Sequence, residues 1–159
     1  MLKKKIYIGI IGGSSIGSKI YEIAEKVGHS VAKNRAVLVC GGLSGVMEAA
    51  SKGAKKNNGT TIGILPENQK RDANDYIDYA IPTGFGIARN MVIINTADVL
   101  IAIDGKYGTL SEIALALNSG KKVIALDSKW EDIDGIIKAS DPEDAVDKAL
   151  AIAKTQKGG

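Results

Sequence analysis

Four short stretches of this 159-residue chain carry side chains able to do chemistry. The richest is Asp104 to Glu112, Asp-Gly-Lys-Tyr-Gly-Thr-Leu-Ser-Glu. Gly105 and Gly108 let the backbone bend and let another group come close to it. Thr109 and Glu112 stand three residues apart, the spacing of a capping box at a helix start. The first turn of such a helix carries unpaired N–H groups and roughly half a positive charge, which suits an anion. Gly105, Lys106, Tyr107, Gly108 and Thr109 are therefore candidate phosphate-binding residues. Glu112 has two competing uses, as the carboxylate of the cap or as an acceptor, a base, or a partner for a developing positive charge.

The second stretch is Arg89-Asn90, expected in the opening turn of another helix. Arg89 offers a planar fork to phosphate or ribose oxygens. Its alternative is a surface arginine beside its own helix N-terminus, a placement the dipole disfavours, so the balance tilts towards function. The other two are glycine turns. Gly12-Gly13-Ser14-Ser15-Ile16-Gly17 puts hydroxyls and free amides at a helix start, and Gly41-Gly42-Leu43-Ser44-Gly45-Val46-Met47 follows a second apolar run. A dinucleotide fingerprint would need glycine at its third position, where Ser14 stands, and an acidic ribose partner that does not follow Val39. Walker loops, His-Glu zinc helices and serine elbows are missing too. A mononucleotide or another phosphorylated small molecule is the ligand class left.

Alternating elements must position these groups. Apolar runs at Ile6–Ile11, Ala36–Cys40, Thr60–Leu65, Val99–Ile103 and Lys122–Leu126 read as strands, with a weaker one at Tyr79–Ile81. Helices are expected from Ile16 to Val31, from Val46 to Lys56, from Ile87 to Thr96, after Thr109, and from Ser140 or Asp141 to about Lys154, leaving 155–159 as a frayed tail. Residues Glu67 to Asp78 are polar and irregular, the expected flexible loop. Strands alternating with helices imply a single α/β domain, a Rossmann-like, doubly wound parallel sheet in three layers. Ligands of such sheets bind at the carboxyl edge where strand order reverses, and the turns after the first, second and fifth strands sit on that edge.

Composition narrows the partners. With 21 basic against 18 acidic side chains and few aromatics, nothing demands nucleic acid. Lys3-Lys4-Lys5, the one basic run, reads as a solvated end. The longest apolar stretches are too short to span a bilayer, and no leader-like segment precedes the first strand. One cysteine, Cys40, excludes an intramolecular disulfide and fits a reducing cytoplasm. One histidine, His29, lies off the apolar stripe of its helix and reads as a surface residue, so no metal site is expected.

The motifs Gly41-Gly42-Leu43-Ser44-Gly45-Val46-Met47, Arg89-Asn90 and Gly105-Lys106-Tyr107-Gly108-Thr109-Leu110-Ser111-Glu112 resemble those of the LOG ("Lonely Guy") group. More narrowly, they resemble its short branch that includes molybdenum-cofactor carrier proteins. The resemblance runs from the first strand to about Leu126. It implies a Rossmann-like fold, a homodimer or higher homo-oligomer with pockets near subunit contacts, and phosphate binding by the loop from Gly105 to Thr109. In the hydrolase members the residues matching Arg89 and Glu112 are the catalytic pair, cleaving nucleoside 5′-monophosphates to base and ribose 5-phosphate. A lysine decarboxylase label often given to members has no physical support in these residues. Three departures shift weight away from hydrolysis. Asp104-Gly105-Lys106 stands where the hydrolases have Pro-Gly-Gly, Asn90 stands where a lysine commonly follows the arginine, and the chain is shorter than many plant-type members. Lysine at 106 costs around 1 kcal/mol if that position needs positive φ, yet it could also reach the phosphate. The expected function is therefore a carrier of an AMP-like nucleotide or molybdenum cofactor, with phosphoribohydrolase as the alternative and DNA binding as a remote third.

Overall fold

The structure, a computed structural model, describes residues 4–157. Seven strands and five α-helices alternate: β1 (Tyr7–Gly12), α1 (Ser18–Lys33), β2 (Val37–Cys40), α2 (Val46–Lys55), β3 (Thr60–Leu65), β4 (Tyr79–Pro82), α3 (Asn90–Thr96), β5 (Val99–Ile103), α4 (Tyr107–Asn118), β6 (Val123–Leu126), β7 (Ile136–Lys138) and α5 (Pro142–Lys157). Every strand pairing is parallel, and the sheet order is β4-β3-β2-β1-β5-β6-β7. The order reverses between β1 and β5, which puts the turns after β1, β2 and β5 side by side at the carboxyl edge.

Strand parity builds the three layers. Ile8 and Ile10 of β1, Leu38 of β2 and Ile101 and Ile103 of β5 pack on one face, under α1, α2 and α5. Ile11, Val39, Leu100 and Ala102 point the other way, under α3 and α4. β5 is buried on both faces along its whole length, as expected for a central parallel strand.

Several boundaries differ from the sequence expectations for identifiable reasons. β7 went unread because it is three residues long and half-buried. Ile16 precedes α1 and packs against the core from the turn. The segment before α3 is a 3-10 turn, Gly86–Arg89, so α3 opens at Asn90. α5 runs on to Lys157 through residues read as a tail, and 158–159, like Lys3 of the basic run, lie outside the described residues. His29 is exposed, as expected.

The start of α5 closes itself. Asp141 Oδ1 accepts the Asp144 N–H at 2.9 Å, and Asp144 Oδ2 accepts the Ser140 N–H at 2.9 Å. Asp141→Ala removes this cap and is expected to cost about 1 kcal/mol, read as a lower midpoint in urea unfolding. An unchanged midpoint would show that the cap contributes nothing.

Candidate functional site

A cavity of about 410 Å³ opens at the carboxyl edge where the strand order reverses. The turn after β1 supplies Gly12, Gly13, Ser14 and Ser15; the turn after β2 supplies Gly41, Leu43 and Met47. Arg89 and Asn90 come from the start of α3, and Asp104, Lys106, Gly108, Thr109 and Glu112 from the turn after β5 and the first turns of α4. Three glycine turns separated in sequence thus surround one space.

Four sequence candidates stand outside the cavity wall. Gly45 (φ 69°) supports it from behind: its α-carbon packs on the Gly13–Ser14 backbone, where no Cβ fits, and Val46 N–H donates to Gly13 O at 2.9 Å. Gly42 packs on Gly63 and Leu65, Gly105 packs on Thr109, and Tyr107 projects into solvent beside the mouth. The sequence reading passed over Pro66, Gly86 and Ile87, which complete the wall. The Gly84-Phe85-Gly86 cluster signalled a turn there, but only the strand order brings that turn beside the others.

Arg89 is the most constrained side chain in the cavity. It is 8% exposed, so the surface reading does not hold. Its Nη1 donates to Gly41 O at 2.7 Å and to Ile64 O, and its Nε donates to Asn90 Oδ1 at 2.9 Å. These acceptors offset the burial of the charge and the unfavourable helix dipole. Asn90 therefore acts as the residue that orients Arg89. Gly41 makes the arrangement possible, because a Cβ there would lie 2.5 Å from Arg89 Nη1 and 2.6 Å from Met47 Sδ. Burial lowers the arginine pKa, and the Glu112 carboxylate acts in the opposite sense.

Glu112 is not a cap. α4 begins at Tyr107 with Lys106 at its N-cap position, three residues ahead of the N-cap expected at Thr109, and no side chain closes it. Thr109 is turned inward against Gly105 and is 3% exposed. The capping-box expectation fails for this reason, and Glu112 is left in the cavity wall. Burial raises its pKa from the usual 4.5 to about 7, against the opposing pull of Arg89. Its proton is thus exchangeable near neutral pH.

The turn after β5 also resolves the question of Lys106. Positive φ falls on Asp104 (51°) and Gly105 (99°), whereas Lys106 has φ −106° and pays no such cost. Asp104 turns its carboxylate towards Gly13, 3.4 Å from where a Cβ would lie. α1, α2 and α4 all start without a side-chain cap. Their first-turn N–H groups have no intrahelical acceptors. Among the described residues no group of His, Cys, Asp and Glu could hold a metal ion, and no helix is long and apolar enough to cross a membrane.

Two measurements check this electrostatic arrangement. Gly41→Ala is expected to displace the Arg89 guanidinium and cost about 1–3 kcal/mol, seen as a lower denaturant midpoint; an unchanged midpoint would contradict the packing. The raised Glu112 pKa favours the folded state fully below about 4.5, and that contribution is lost as pH rises through about 7. The Tm difference between Glu112→Gln and the parent should therefore grow in the variant's favour from pH 5 to pH 8. A difference independent of pH would mean that Glu112 titrates normally.

Known proteins share this fold. A molybdenum cofactor binding protein from the phototrophic bacterium Rippkaea orientalis is 38% identical, with 94% of this chain and 98% of that one covered and a TM-score of 0.88. The molybdenum cofactor carrier protein of Chlamydomonas reinhardtii is 32% identical, with 94% and 99% covered and a TM-score of 0.86. An uncharacterized protein of Archaeoglobus fulgidus is 43% identical over 149 residues, 93% of this chain and 97% of its own length. DNA processing protein A of Streptococcus pneumoniae, at 20% identity and a TM-score of 0.72, shares the fold alone. Residues 5–156 match the SLOG cluster4 family, and the chain belongs to that family.

Proposed function

We propose that the chain is a carrier that binds a phosphorylated, nucleotide-like ligand, either a nucleoside monophosphate or the molybdenum cofactor. The observation that carries this reading is the uncapped start of α4 in the cavity wall, where Gly108 and Thr109 can offer amides to an anion. Lys106 stands beside them, exposed and able to pair with phosphate as a point charge. The named activities of the Rippkaea and Chlamydomonas proteins, similar over nearly the whole chain, support the molybdenum cofactor as one such ligand. Arg89 supports holding rather than clamping, since its Nη1 and Nε are already committed to Gly41, Ile64 and Asn90.

A specific observation favours a second reading, phosphoribohydrolase activity. Glu112, with its pKa near 7, shares the cavity with Arg89 and could stabilise an oxocarbenium-like transition state or orient water. DNA binding is disfavoured by the near balance of 21 basic and 18 acidic side chains. A cytoplasmic setting fits the single, buried, free thiol of Cys40. Exposed Phe85 and Ile87 beside the cavity and Leu115 on α4 favour a homodimer or higher homo-oligomer, which sedimentation equilibrium would read directly.

Isothermal titration with AMP, and chromatography of the same mixture for free adenine, separate the readings. Saturable binding with no adenine released is expected, weakened about tenfold, or ~1.4 kcal/mol, in Lys106→Glu. Adenine release that disappears in Glu112→Gln would establish the hydrolase instead. If AMP, other monophosphates and the molybdenum cofactor all fail to bind, the carrier reading is wrong.

A further inference from the structure

The connection between β6 and β7 places Trp130, the sole tryptophan, against Tyr107, the first residue of α4. Their ring centroids are 6.1 Å apart with the planes tilted by 47°. Lys129 Nζ lies 4.7 Å from the Trp130 ring centroid and 5.6 Å from that of Tyr107. Tyr107 is 78% exposed, a large apolar surface that the packing of α4 does not need. Trp130 packs against the core on the α3–α4 side, and its Nε1 is closed off without an acceptor among the described residues. An orphaned indole N–H is unfavourable, a cost that a phenylalanine packed on the same core would not carry.

The cluster is tied to the ligand-facing turn. The Trp130 backbone N–H donates to Ser128 Oγ at 3.3 Å, and Ser128 Oγ donates to Asp104 O at 3.2 Å. Tyr107 lies between Lys106 and Gly108, both in the cavity wall, while neither Tyr107 nor Trp130 lines the cavity. The aromatic pair is thus a shelf outside the mouth, one residue from the amides of Gly108 and Thr109.

We propose that Tyr107 and Trp130 form a second part of the binding site, on which the planar heteroaromatic ring of a phosphate-bearing ligand stacks, the exposed Lys129 side chain that lies over both rings moving to the ring's edge. The ring is a nucleobase or a pterin, and the Lys129 ammonium faces its electron-rich carbonyl edge. Aromatic stacking and cation–π attraction both favour a flat, polar ring at this place. The inference rests on phosphate binding at the start of α4. It also gives a reason for holding rather than cleaving, because a ring on the shelf stays off the wall that carries Glu112.

The test compares GMP with ribose 5-phosphate, which keeps the phosphate and lacks the ring, using calorimetry and the emission of Trp130. Both are expected to bind; GMP alone changes the Trp130 emission, and it binds at least fivefold tighter. Tyr107→Ala should bring the ratio of GMP to ribose 5-phosphate affinity down to about one, while Tyr107→Phe retains the parent's ratio. Tyr107 is exposed, so both variants are expected to fold, which circular dichroism checks. The parent's ratio kept in Tyr107→Ala, or GMP binding with no change in Trp130 emission, overturns the shelf while leaving the phosphate site standing. Failure of both ligands to bind the parent protein overturns the phosphate site and the shelf together.

Discussion

The burial of one guanidinium organises this molecule's carboxyl edge. Arg89 takes its acceptors from the carbonyls of Gly41, after β2, and Ile64, near the end of β3, and its orientation from Asn90. A buried charge is tolerated only where such acceptors are in place. The ends of two strands and the start of α3 are thereby held in fixed relation. The missing Cβ of Gly41 is what lets the guanidinium lie flat on the backbone. At Glu112 burial outweighs the opposing pull of Arg89 and raises the carboxyl pKa to about 7.

Helix starts on this edge are treated in two ways. α5, at the far end of the sheet, is closed by its own Asp141 and Asp144. α1, α2 and α4, whose preceding turns surround the cavity, have no side-chain cap. Of these, α2 gives its first N–H to the Gly13 carbonyl at 2.9 Å, and α4 is the one whose opening residues, Gly108 and Thr109, line the cavity with its partial positive charge. The same chain can cap a helix with ordinary carboxylates, and the start of α4 in the cavity wall has none. The tilted aromatic pair of Tyr107 and Trp130, with the Lys129 ammonium over it, stands beside this polar opening.

Much of this was legible in the residues. The apolar runs marked six strands, and the glycines following three of them located one edge of the sheet, because strand period and turn chemistry are local properties. The strands' parallel pairing and the reversal between β1 and β5 agree with that reading. What was not legible depended on distant partners. Arg89 looked like a choice between surface and ligand, since nothing nearby announces the carbonyl of Ile64. Thr109 and Glu112 matched a cap by spacing, but α4 starts three residues earlier and turns Thr109 inward. The strain expected at Lys106 falls on Asp104 and Gly105, a shift in backbone phase that composition does not reveal. β7 and Trp130 were passed over because a three-residue strand and a lone aromatic carry no periodic signal.

The central claim is that an anionic group lodges at the start of α4. A crystal structure of the protein grown with AMP tests it most directly. The account predicts phosphate oxygens within about 3 Å of the Gly108 and Thr109 amide nitrogens, with the Arg89 bonds to Gly41 and Ile64 intact. Those amides closed by the protein's own Asp104 carboxylate, with AMP bound elsewhere or not at all, would contradict it.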